Sequence, residues 1–185
     1  MGMKTIGPVI LGIYASLGLF VAVGARQISE NFEKEILKNA AASSLIGTEN
    51  ETFSVFQAAR VYGKFGCGDY KLAVQTAKTA RAVCISPTII AAKVARESSC
   101  NPYAISNKGA VGLAQIHVKT WAGTYDFSKV NLFNPEDNLR VGAEILAKML
   151  KDSKGDMKVA LARYNGTGEG TREYADSVMK LAGAR

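Results

Sequence analysis

The sequence predicts a mainly α-helical protein, and three observations carry that expectation. Ile89, Ile90, Ala91, Ala92, Val94 and Ala95 form an apolar run headed by Ser86 and Pro87, which suit an N-cap and a first helical position. Residues 69–82 begin at Asp69, another capping residue, and space Leu72, Val74, Ala77 and Ala80 among polar side chains. No segment alternates apolar and polar residues for long enough to support a large sheet. At 185 residues, 48% hydrophobic and 21% charged, the chain has the composition of one globular domain with appendages, not of a disordered protein.

Taken in order, residues 6–25 carry no charge and are flanked by Lys4 and Arg26. Such a run is long enough to cross a bilayer as a helix. The rival is a secretory signal, since Val23-Gly24-Ala25 suits a small-residue cleavage site; the length of the apolar run favours an uncleaved anchor. Residues 26–44 read as a helix with Ile28, Phe32 and Ile36 on one stripe, and residues 47–50 as a linker. A short helix over 53–62 is broken by Gly63, Gly66 and Gly68. Beyond the helices over 69–82 and 87–99, further helices are expected at 111–121, 135–152, 156–163 and 171–181, with a short hairpin near 124–133.

Three cysteines leave one unpaired if a bridge forms. Cys84 and Cys100 bracket the 87–99 helix, whose length holds its ends roughly 18 to 20 Å apart, whereas a disulfide needs Cα atoms within about 7 Å. The short connection at residues 84–86 makes the two helices antiparallel neighbours, which returns Cys67 beside Cys100. The expected bridge is therefore Cys67 to Cys100, in an oxidising compartment, with Cys84 free and buried in the turn. Three buried free thiols are the alternative. The one His and three Cys lack zinc-ligand spacing, so neither a metal nor a cofactor is expected.

Glu97 lies in the last turn of the apolar helix. A carboxyl there meets the negative end of the helix dipole and apolar neighbours, and both favour its neutral, proton-donating form. The order E-S-x-x-N-P-x-A-x-S-x-x-G-A-x-G-L-x-Q-I from Glu97 to Ile116, read with Ala160-Leu161-Ala162-Arg163-Tyr164-Asn165-Gly166, resembles the soluble lytic transglycosylase family. The resemblance spans roughly residues 80–181 and implies a lysozyme-like helical domain of the goose type. On it the chain divides into an anchor or uncleaved signal at 1–25, a helical stalk at 26–66 and a catalytic domain at 67–185.

The resemblance implies Glu97 as acid and then base, with Ser106 and Gln115 lining a sugar subsite. Ser106 can instead cap a turn before Gly109. Tyr164 matches the family's Tyr-Asn block and can aim its phenol at Glu97 or at a substrate N-acetyl group. Asn165 is either a hydrogen-bonding neighbour or part of a helix-terminating turn. Tyr174 resembles a later family tyrosine, with a core or rim position equally open. Where the family often has Met, this chain has Ala114, which could enlarge the cleft; His117 is read as a helix-surface residue and Trp121 as core. Asn134-Pro135, Asn138, Gly142 and Leu146 resemble another family block, read as helix start and packing.

The implied reaction is cleavage of the β-1,4 bond of peptidoglycan glycan strands with formation of a 1,6-anhydro sugar, without water or metal. Two alternatives remain open: a goose-lysozyme-like hydrolase of the same bond, and a silent wall-binding component of an envelope-crossing machine. Beyond residue 25 the net charge is +6, from 22 Lys and Arg against 16 Asp and Glu, which reads first as a solvated basic surface and next as weak attraction to peptidoglycan and anionic envelope polymers; with no basic cluster interleaved with aromatics, nucleic acid is not an expected partner. The expected setting is an inner-membrane anchor with a periplasmic catalytic domain, or a phage or secretion assembly.

Overall fold

The computed structural model describes Lys34, residues 49–67 and residues 69–184. The expected anchor at 6–25 and most of the stalk helix at 26–44 lie outside the described residues. Among the described residues six longer helices build the domain: α1 (Glu49–Gly63), α2 (Tyr70–Ala82), α3 (Pro87–Ser98), then, after a two-stranded hairpin, α5 (Pro135–Asp152), α6 (Met157–Asn165) and α7 (Thr171–Ala182). Between them lie β1 (Ala110–Val111), β2 (Ile116–His117), the one-turn α4 (Val118–Trp121) and a 3-10 turn at Phe127–Lys129.

Side chains start these helices as their sequences require. Asp69 accepts from the Lys71 N–H at 2.8 Å, Ser86 from Thr88 at 3.3 Å, and Asp156 from Val159 at 3.0 Å. Asn134 accepts from both Glu136 and Asp137, whose acidic side chains also suit the positive end of the α5 dipole. Helix α1 begins at Glu49, inside the segment expected to be a linker, and extends to Gly63.

Two apolar clusters organise the molecule. The main core gathers side chains from α1, α2, α3, α5, α6 and α7, among them Tyr62, Ile90, Val94, Leu146, Leu161 and Val178. A smaller one sits beneath the hairpin and contains Ala114, Ile116, Leu132, Val141 and Ile145. Helix α5 serves both, sending Leu139, Ala143 and Leu146 into the first and Val141 and Ile145 into the second. It is the beam on which the hairpin rests.

The structure corrects three expectations. The segment 111–121 is not one helix: Ala110 pairs with His117 and Val111 with Ile116 in an antiparallel hairpin, and only its last turn is helical. Gly112 at φ 76° and Gln115 at φ 50° are left-handed, a conformation that a continuous helix excludes. The hairpin expected near 124–133 is instead a 3-10 turn, started by Asp126 accepting from the Ser128 N–H. Cys67 and Cys100 form a disulfide with Cα atoms 6.0 Å apart, as the antiparallel geometry requires, but Cys84 is exposed and not buried. The turn holding it has positive φ at Cys84 and points its thiol outward. Among the described residues no helix is long and apolar enough to cross a membrane.

Candidate active site

Helix α3 delivers two ionisable groups four residues apart, Lys93 and Glu97, and then stops. Ser99 takes φ 49° and Cys100 φ 62°, so the chain leaves the helix through left-handed residues and is held there by the disulfide. The Ser98 hydroxyl bonds the Val94 carbonyl at 3.1 Å and the Leu113 carbonyl at 2.9 Å, tying the end of α3 to the hairpin loop. Glu97 is half-buried at this junction. Its Oε1 accepts a 2.6 Å hydrogen bond from the phenol of Tyr174, which α7 brings from 77 residues away.

The loop between β1 and β2 is fixed from below. Asn138, 1% exposed, donates from its amide to the carbonyls of Val111 and Leu132 and accepts from the Ala114 N–H at 2.7 Å. The Ala114 carbonyl in turn receives the Lys93 ammonium at 3.1 Å and the Tyr164 phenol at 3.0 Å. Ala114 is thus bonded through both its N–H and its carbonyl, and the next residue, Gln115, is left-handed. The Gln115 amide donates to Ala104 at 3.2 Å and Gly112 at 3.0 Å, which joins the hairpin to the loop descending from Glu97.

Tyr164 therefore directs its phenol at the Ala114 carbonyl, not at Glu97; Tyr174 makes the carboxyl contact. Burial pushes both phenols well above the ordinary tyrosine range, with the nearby Glu97 charge adding to it, so each remains an O–H donor through neutral pH. Ser106 accepts from the N–H groups of Lys108 and Ala110, which is the turn-capping alternative. Asn165 is exposed at the end of α6, ahead of Gly166, and forms no hydrogen bond to Glu97, Gln115 or Tyr164 among the described residues. The structure brings Glu97 and Tyr174 into direct contact and links Gln115 to Tyr164 through one peptide.

Ala114 does not widen a cleft. It is 3% exposed, and a Cβ placed on Gly142 would collide with the Cβ of Ala114, so small residues on both sides let α5 approach the hairpin. His117 stands on β2 and not on a helix surface, with a buried Nδ1 that lacks a hydrogen-bond partner among the described residues. Trp121 is half-buried, edge-on to Tyr125. A cavity of about 580 Å³ lies elsewhere, lined by Val55, Val74, Ala77 and Ile85 near the start of α3.

Lys93 was not among the sequence candidates. It is 2% exposed, and its ammonium sits 3.6 Å from the centre of the Tyr164 ring. Burial lowers it from 10.5 to about 8, and the charge of Glu97 opposes the shift. The sequence signal was a lone Lys inside the apolar stretch Ile89 to Ala95, four residues before the acid.

Comparison with known proteins bears on this geometry. A transglycosylase from Enterobacteria phage PRD1 is 34% identical over 102 residues, 52% of this chain and 37% of the relative. The match thus spans little more than a third of that protein's length. The transglycosylase SLT domain model matches residues 75–184, which takes in α3, the hairpin, α5, α6 and α7 with every residue of the site. On that match, over more than half of its length, the chain belongs to the transglycosylase SLT domain family.

Proposed function

We propose that the protein is a lytic transglycosylase that opens peptidoglycan by cleaving the β-1,4 bond after the N-acetylmuramic acid sugar. The observation that carries the reading is the Glu97 carboxyl, half-buried at the end of α3 and held at one oxygen by the Tyr174 phenol. With Oε1 so occupied, the second oxygen is the one that delivers a proton to the leaving glycosidic oxygen. The resulting carboxylate, still held by Tyr174, then takes the proton from the sugar's own C6 hydroxyl as that oxygen attacks C1. The bond to the leaving sugar breaks, an intramolecular C1–O6 bond forms, and Glu97 recovers its proton.

This scheme needs one carboxyl, whereas ordinary glycosidases use two. Several other carboxylates are engaged elsewhere: Asp126 by Ser128 and Lys129, Asp137 by Arg140, and Asp176 by Lys158. Their engagement supports the single-acid route. In this reading Gln115, Ser106 and Asn165 are the residues that would contact sugar, Gln115 from the loop that its amide ties to Ala104 and Gly112. A tether at residues 6–25, with the domain in the periplasm or carried by a phage particle, confines cutting to a local gap in the wall.

The test is mass spectrometry of fragments released from purified peptidoglycan by the full chain and by Glu97→Gln. The expected products end in 1,6-anhydro sugars and vanish in the variant. Reducing ends would assign hydrolysis, and wall binding without release would assign a structural role.

A further inference from the structure

Among the described residues no carboxylate is hydrogen-bonded to the Lys93 ammonium; its partners there are a backbone carbonyl and the face of a tyrosine ring. Burying a cation on such terms is costly, and Tyr164 already supplies the Ala114 carbonyl with a donor, so holding the loop does not require a charge. What a charge does supply at this position is a field one helical turn below Glu97. The reaction proposed above takes Glu97 from a neutral acid to a carboxylate and back, and a fixed buried cation stabilises the carboxylate half of that cycle without reorganising.

We propose that Lys93 is a positioning residue, a buried counter-charge that stabilises the Glu97 carboxylate formed when the acid gives up its proton, while its bond to the Ala114 carbonyl seats the Gln115 loop. The inference rests on the functional reading of Glu97. The titratable groups around it are Glu97 on its own helix, Tyr164 from α6 and, bonded to Glu97, Tyr174 from α7; Arg96 points outward to the Ser177 hydroxyl. Both tyrosines hold their protons through the alkaline range in which Lys93 titrates at about 8. Loss of the Lys93 proton is therefore the event that removes the counter-charge as pH rises.

Two measurements test this. The first reads Lys93 directly, by NMR titration of its ammonium in the wild type and in Glu97→Gln, and requires no turnover. Coupling between the two groups is reciprocal, so removal of the Glu97 charge should move the Lys93 midpoint down from about 8. An unchanged midpoint overturns the proposal whatever the wall assay gives, whereas a shifted midpoint in a protein that releases no fragments leaves the coupling intact and sinks the transglycosylase reading. The second is the pH profile of kcat for the wild type and Lys93→Met. The wild type should lose activity through an alkaline limb near 8; the variant should show about tenfold or lower kcat, little change in KM, no such limb and no loss of Tm. A Met variant with wild-type kcat and limb, or one that loses Tm and kcat together while keeping the limb, overturns it.

Discussion

Tyr174 is buried and Tyr164 partly buried, and both place a phenol near one carboxyl, yet their hydrogen bonds assign them different work. Tyr174 donates to Glu97 itself, and Tyr164 donates to the Ala114 carbonyl, which Lys93 also serves. Tyr174→Phe should therefore lower kcat by roughly 10- to 100-fold, the equivalent of a hydrogen bond to a charged group. Tyr164→Phe should cost about 1 kcal/mol of stability and affect turnover less, because Lys93 remains on the same carbonyl. Fragment-release kinetics and urea unfolding of both variants check the assignment; a Tyr164→Phe enzyme that is fully stable but nearly dead would exchange the two roles.

At the scale of elements, the contact between α5 and the hairpin is the most exacting. Gly142 faces Ala114 with no room for a Cβ, so Gly142→Ala should destabilise by about 1 to 3 kcal/mol through overpacking, read as a lowered urea midpoint. The disulfide makes a second prediction. It closes a loop of sequence separation 33, worth about 3 to 4 kcal/mol in chain entropy, and leaves only Cys84 free. A thiol reagent should count one reactive cysteine in the native protein and three after reduction and unfolding. The helices and this bridge were legible in the sequence because caps and apolar spacing act within a few residues, and helix length alone rules out the wrong pairing. The hairpin was not, because its left-handed Gly112 and Gln115 are imposed by Asn138, 24 residues beyond Ala114. The position of Glu97 in the last turn of α3 was legible from the apolar run before it, whereas its phenol partner depends on how α7 packs against α3, which no local pattern encodes.

Across the whole molecule, Lys93 ties activity and stability to pH in opposite senses. The unfolded chain holds the Lys93 proton up to about 10.5, and the folded protein only to about 8. Between those values the unfolded state binds more protons, so stability rises with pH; below about 8 both states are protonated and the full cost of burying the ammonium is present. Lys93→Met removes that cost, on the order of 3 kcal/mol, and fills the site with an apolar chain of similar length. The variant should thus be more stable than the wild type at neutral pH, and its advantage should shrink as pH climbs from about 8 towards about 10.5. The buried tyrosines run the other way. Their raised folded values contribute stability that is present below about 10 and lost above it, but they are common to both proteins and cancel in the difference. Urea unfolding of the pair at successive pH values isolates the Lys93 contribution. A difference that stays constant across the range would mean that the folded protein holds the Lys93 proton as long as the unfolded chain does, so that burial beneath Glu97 imposes no cost on the charge.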